Sequence, residues 1–147
     1  MSTPDILAKY KSILPIKVVW GDMDCMSHVN NTKYFYYCET ARTEFLNQVL
    51  EKAQAKVGDN ALNAGLALAE TACRFKVAVT YPDDLLIANE VTSIEQNEFH
   101  IKHHIYSTKL DLIAAVATAR VVRFDYKLGK RAAISADLTA ALEEHLV

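Results

Sequence analysis

Residues 18–42 read VVWGDMDCMSHVNNTKYFYYCETAR, and three kinds of patterning succeed one another within that stretch. It opens at the end of a β-branched run. Ile16, Val18 and Trp20 share one face of an extended segment over about 16–20, the first expected strand. Gly21 to Asn31 is small and polar, which marks a loop. From Thr32 to about Ala55 there is neither proline nor glycine, and Tyr34, Tyr37, Cys38, Ala41, Phe45 and Val49 recur at steps of three and four. Such steps trace one face of a helix. Phe35, Tyr36 and Leu46 widen the apolar sector so far that other structure should wrap most of the helix. Asn30, Asn31 or Thr32 could each supply the N-cap oxygen. Gly58-Asp59-Asn60 breaks the pattern, and Gly65 marks another bend.

Beyond this point the period falls to two. Strands are expected over about 66–79, closed by Tyr81-Pro82-Asp83-Asp84, then over 85–94, 99–106 and 112–126. Val116, Thr118, Arg120, Val122 and Phe124 share one side of the last. Short connections favour antiparallel neighbours over parallel crossovers. Ser135 can cap a short final helix ending near His145. Strand, long apolar helix, four strands is an α+β order in which one sheet covers one helix, with residues 1–147 forming a single domain. Such a sheet keeps two open edges, so a homo-oligomer is expected.

Composition narrows the class. The chain has 147 residues, 51% of them hydrophobic, enough to bury a core without disulfides or a structural metal. The net charge of -2, without a basic run, argues against nucleic acid as a partner. Cys25, Cys38 and Cys73 form no CxxC pair, which argues against a disulfide framework or a cysteine-rich zinc site. The start MSTPDILAKYKS has no apolar core of a signal peptide, and no stretch is apolar enough for a membrane span. A cytoplasmic location, with no membrane partner, is the expectation.

The densest set of chemistry-bearing side chains is Asp22, Asp24, Ser27, His28, Asn30 and Asn31, between a strand and a helix N-terminus. The first amides of a helix have no intrahelical acceptor, and the helix dipole favours negative charge beside them. A carbonyl turning into an oxyanion is stabilised there, and a carboxylate on the facing loop can attack that carbonyl or activate water. Asp24 suits this role better than Asp22 because it stands closer to the helix. The same pattern is also what a loop aspartate and a capping asparagine with no chemistry produce.

The run 18–42 resembles the signature of the 4-hydroxybenzoyl-CoA thioesterase-like branch of the hotdog superfamily, D-x-D-x-x-G-H-V-N-N-x-x-Y-x-x-Y-x-E-x-A-R. It matches at Asp22, Asp24, His28, Val29, Asn30, Asn31, Tyr34, Tyr37, Glu39, Ala41 and Arg42. CRFKVAVTYPDDLLI (73–87) and ARVVRFDYKLGKRAAI (119–134) resemble later segments of that family more loosely. The resemblance implies a hotdog fold and hydrolysis of acyl-CoA thioesters. Asp24 is then nucleophile or general base, and the Asn31 backbone amide polarises the thioester carbonyl. Asn30 and His28 shape the loop and orient Asp24 or water, which puts His28 among the catalytic candidates. Beside the resemblance, Tyr34 on the aromatic helix face and the strand residue Arg74 are expected to join Asn30 in substrate binding. No separate cofactor is implied, coenzyme A being part of the substrate. The site is expected at a subunit interface of a homodimer or homotetramer. A non-catalytic acyl-CoA-binding protein, or a dehydratase using His28 and Glu39, are the alternatives. The family has glycine where this chain has Ser27, and serine is strained if the loop needs a positive φ there.

Other residues have plainer expectations. His28 could titrate near neutrality as an acid or base, or simply hydrogen-bond the loop backbone. Glu39 and Arg42, three apart on the helix, are expected to pair. His100, His103 and His104 are expected on a solvated strand face rather than as metal ligands. Arg74, Lys76, Lys102, Arg120 and Arg123 are surface charges, some within reach of coenzyme A phosphates. Cys25 has no histidine at a defined spacing and is expected to be a loop residue.

Overall fold

A computed structural model describes residues 3–57 and 65–147, without the side chains of 54–57; the break expected at Gly58-Asp59-Asn60 lies outside the described residues. In chain order the elements are β1 (Ser12–Lys17), α1 (Asn31–Val57), β2 (Leu66–Phe75), β3 (Asp84–Ile94), β4 (Glu98–Ser107), β5 (Leu112–Asp125), β6 (Lys130–Arg131) and α2 (Ala136–Glu143). The sheet order is β1-β3-β4-β5-β2, with β6 added to the end of β5, and every pairing is antiparallel.

The inner face of the sheet holds α1, and the residue sizes explain how. Ala115, Ala117 and Ala119 alternate along the inner side of β5, so the helix backbone can approach the sheet closely. Tyr34, Tyr37, Cys38 and Ala41 fill one half of the interface against Leu85, Ile87 and Ile105. Phe45, Val49 and Leu50 fill the other, against Val91, Phe99, Ile101 and Val121, and α2 closes that end with Leu138, Ala141 and Leu142. Ser135 caps α2 as expected, its hydroxyl accepting from the Leu138 amide at 3.1 Å. On the outer face the N-terminal segment lays Leu7 and Tyr10 over Ala88 and Tyr106.

Three expectations change. The first strand is Ser12–Lys17, not 16–20: Val18 donates one last bond to the Asp83 carbonyl, then the Asp22 carboxylate takes the Val19 amide at 3.0 Å. That local bond competes with the ladder and folds Trp20–Asp22 into a 3-10 turn, leaving Trp20 73% exposed. The second expected strand ends at Phe75 rather than Val79, because the Lys76 and Val77 amides both converge on the Ala114 carbonyl. Finally, α1 is not wrapped all round: Tyr36 is 60% exposed and Phe35 lies at the surface beside Phe75.

Candidate active site

The loop between Trp20 and α1 is held by its own backbone. The Asn30 amide donates to the Asp22 carbonyl, the Asp24 amide to the His28 carbonyl, and the Ser27 amide to the Asp24 carbonyl. Ser27 sits at φ 61°, the left-handed conformation that glycine adopts freely and serine only with strain. Thus the departure from the family signature falls at the residue where backbone conformation matters most.

The Asp24 carboxylate accepts from the Met26 amide at 2.9 Å through Oδ1 and from Asn30 Nδ2 at 3.2 Å through Oδ2. Each oxygen keeps lone-pair capacity, since an ionised carboxylate can accept about four hydrogen bonds. Asn30 also caps α1: its Oδ1 accepts from the Thr32 amide at 2.9 Å and the Thr32 hydroxyl at 2.6 Å, while its carbonyl accepts from the Lys33 amide. The Asn31 amide, first in the helix, has no acceptor among the described residues. Asn30 therefore orients Asp24, satisfies the second helical amide, and leaves the first one open.

Asn31 lines a crevice of about 160 Å³ together with His28, Val29, Tyr34, Phe75 and the segment Lys76–Ala78. The segment reaches the site because it leaves the sheet after Phe75. The Val29 amide donates to the Val79 carbonyl at 2.8 Å, and the Val79 amide donates to the Tyr34 hydroxyl at 3.3 Å. Tyr34 is a buried strut as well as a lining residue, and burial raises its pKa.

Asp22 has a different part. It is buried, and its Oδ2 accepts from the Tyr37 hydroxyl at 2.7 Å as well as from the Val19 amide. Burial, followed by the bond to Asp22, pushes the Tyr37 phenol well above its ordinary pKa. This tie between helix and loop went unrecognised in the sequence, although a tyrosine on the buried helix face calls for a polar partner.

Of the expected residues, the structure brings Asp24, His28, Asn30, Asn31 and Tyr34 together. Arg74 stands apart, on the outer face of β2, where it lines a separate groove with Lys76 and Lys102. His28 is exposed and offers its carbonyl, not its ring, to the loop. Glu39 and Arg42 do not form an ion pair: Glu39 is exposed, while Arg42 is buried toward the sheet. Cys25 is exposed; burial raises Cys38 to about 12 and Cys73 to about 11.

The three strand histidines are not a solvated face. His103 is fully buried on the inner face, bonded to Asn89 Oδ1 at 2.6 Å, and His104 is buried beneath Tyr10. The N-terminal segment covers what an isolated strand would expose. The β3–β4 hairpin also gathers Glu95, Glu98 and His100 with ligand atoms within 4.8 Å. Arg120 and Arg131 already hold Glu98, at 3.5 Å and 3.4 Å, which supplies its positive charge.

Comparison with known proteins supplies the family. Protein THEM6 of Danio rerio is 24% identical over 116 residues, which is 79% of this chain and 54% of that protein. The chain thus spans about half the length of this curated relative. A predicted thioesterase from Bacillus stearothermophilus superposes with a TM-score of 0.79 at 17% identity, covering 92% of this chain and 96% of that one. A thioesterase from Thermus thermophilus, solved with coenzyme A and Zn, superposes with a TM-score of 0.77 at 15% identity, covering 90% and 98%. These likenesses establish the hotdog fold. Because the model of the thioesterase-like superfamily matches residues 18–142, spanning both the loop and the sheet that carries it, the chain belongs to that superfamily.

Proposed function

We propose that the protein hydrolyses acyl-CoA thioesters at the Asp24 loop. The observation that carries the proposal is the Asn31 amide, without an acceptor among the described residues, on a residue that lines a crevice next to a loop that fixes the Asp24 carboxylate. The thioester oxygen accepts from that amide. Asp24 either takes a proton from water as the water attacks the carbonyl carbon, or attacks that carbon itself and forms an anhydride that water then opens. In both routes the tetrahedral oxyanion is stabilised by the amide and the helix dipole. The C–S bond breaks, and coenzyme A leaves as a thiolate that takes up a proton.

A second copy of the chain completes the site in this reading. β2 is a ten-residue edge strand with no further strand beside it among the described residues. Unlike β1, which carries Pro15, it has no proline to block pairing. Exposed Phe35, Phe75 and Val77 continue its apolar surface toward the crevice. Pairing of two β2 edges would extend the sheet and cover that surface, giving a homodimer.

One observation favours a second reading, a non-catalytic acyl-CoA-binding protein. Both Asp24 oxygens already serve the loop, as those of a purely structural aspartate would. Thiol release from a panel of acyl-CoAs separates the two. Hydrolysis by the wild type and its loss in Asp24→Asn is the expected result; binding without hydrolysis selects the second reading. Asn31→Pro tests the amide itself, because proline at the first helical position removes the N–H without breaking the helix. Its turnover should fall about 100-fold or more, as on loss of an oxyanion donor, while Asn31→Ala keeps the N–H and stays active.

A further inference from the structure

On the outer face of the sheet, away from α1, Ala72, Arg74, Lys76, Lys102, Val116 and Thr118 line an open groove of about 420 Å³. Its construction follows from register. Ala72 pairs with Thr118 and Thr118 with Lys102, while Arg74 pairs with Val116. A small residue and two β-branched ones thus form a floor between an arginine on the edge strand and a lysine two strands inward. Arg74, Lys76 and Lys102 have no ion pair among the described residues. The acid nearest in register, Glu90 opposite Lys102, turns its carboxylate to His104 Nε2 at 3.2 Å. In a chain of net charge -2, these basic side chains are therefore a local positive site without internal compensation.

Lys76 belongs to this groove and also to the crevice that Asn31 lines. The chain leaves the sheet there, so one residue borders both faces of the edge. A thioester whose carbonyl lies at Asn31 has a path past Lys76 into the groove.

We infer that the Arg74–Lys76–Lys102 groove holds the phosphates of the nucleotide end of coenzyme A. This rests on the acyl-CoA reading above and deepens it. Arg74 presents a planar fork for a phosphate, whereas Lys76 and Lys102 act as point charges on the diphosphate and the ribose 3′-phosphate. The apolar floor takes the adenosine. The site thereby selects free coenzyme A thioesters over thioesters on a carrier protein, which lack the nucleotide.

The test uses the full-length protein and its variants Arg74→Glu and Lys102→Glu, neither of which touches the crevice. Calorimetric titration with coenzyme A should show binding weakened about tenfold or more by each charge reversal, with steep salt dependence in the wild type. In parallel, the ratio of kcat/KM for an acyl-CoA to that for the corresponding acyl-pantetheine should collapse toward one. Equal coenzyme A affinity in wild type and variants overturns the groove assignment, even if the enzyme hydrolyses acyl-CoA. Equal losses on acyl-CoA and acyl-pantetheine overturn it too, because the nucleotide then plays no part. Preference for an acyl-carrier protein, lost in the variants, overturns it in favour of an acidic protein partner. Tight, charge-dependent coenzyme A binding without hydrolysis upholds the groove and sinks the thioesterase reading instead.

Discussion

Acidification should destabilise this fold most strongly through His103, and the structure sets the size of that residue's effect. His103 is fully buried between sheet and helix, and its Nδ1 lies 2.6 Å from Asn89 Oδ1. The Asn89 amide nitrogen donates onward to the Ser12 hydroxyl at 3.1 Å, which orients the amide so that Nδ1 carries the histidine proton. Nε2 is then the bare nitrogen, buried and without a partner among the described residues. A second proton there would create a cation in the core, repelled by the positive charge of Arg42. Burial above all, then Arg42 and His104, lowers the His103 pKa to about 3 from the ordinary 6.5.

The folded state thus refuses a proton that the unfolded chain accepts below pH 6.5. Stability contributed by neutral His103 is complete above that pH and falls as pH drops from about 6.5 toward 3. At 1.36 kcal/mol per pH unit, the loss from pH 7.5 to pH 4.5 is about 3 kcal/mol. Burial lowers His104 and His145 as well, so the wild-type slope contains their contributions in the same sense. The measurement is therefore a difference: urea unfolding of wild type and His103→Gln at both pH values, at one protein concentration. His103→Gln should start less stable at pH 7.5 and lose about 3 kcal/mol less on acidification. Parallel losses in the two proteins would show that His103 is charged, or not buried, in the native state.

Other outcomes follow from the loop and the core. Ser27→Gly should raise stability by about 0.5 kcal/mol, the relief of left-handed strain outweighing the added chain entropy; a calorimetric loss would show that the loop does not need φ 61°. Tyr37→Phe and Asp22→Ala should each cost about 1–3 kcal/mol, and the double variant less than their sum, because both remove the same buried bond. Strict additivity in a denaturation cycle would refute the tie. Phe45→Ala, at a fully buried position under α2, should cost about 3–5 kcal/mol in the same assay.

Much of the architecture is written in short-range pattern. The three-and-four spacing from Tyr34 to Val49 records a buried helix face, and the alternation from Leu85 to Phe124 records strands whose two faces differ. The ordered run from Asp22 to Arg42 carries the family identity, because such a loop needs particular side chains at particular steps. Ser27 belongs here as well: a single residue in place of glycine anticipates the positive φ that the loop adopts.

Only the tertiary structure decided the rest, and in each case through a contact distant in sequence or through a competing local bond. Asp22 captures the Val19 amide and ends the apolar run that would otherwise continue as strand to Trp20. Tyr10 lies over His104, 94 residues away, and hides a histidine that alternation alone turns to solvent. The β4–β5–β2 register sets Lys102 across the sheet from Ala72 and Arg74, making one groove from residues no local pattern connects. Finally, the open Asn31 amide depends on which neighbouring donors Asn30 satisfies, and hydrogen-bond accounting of that kind exists only in three dimensions.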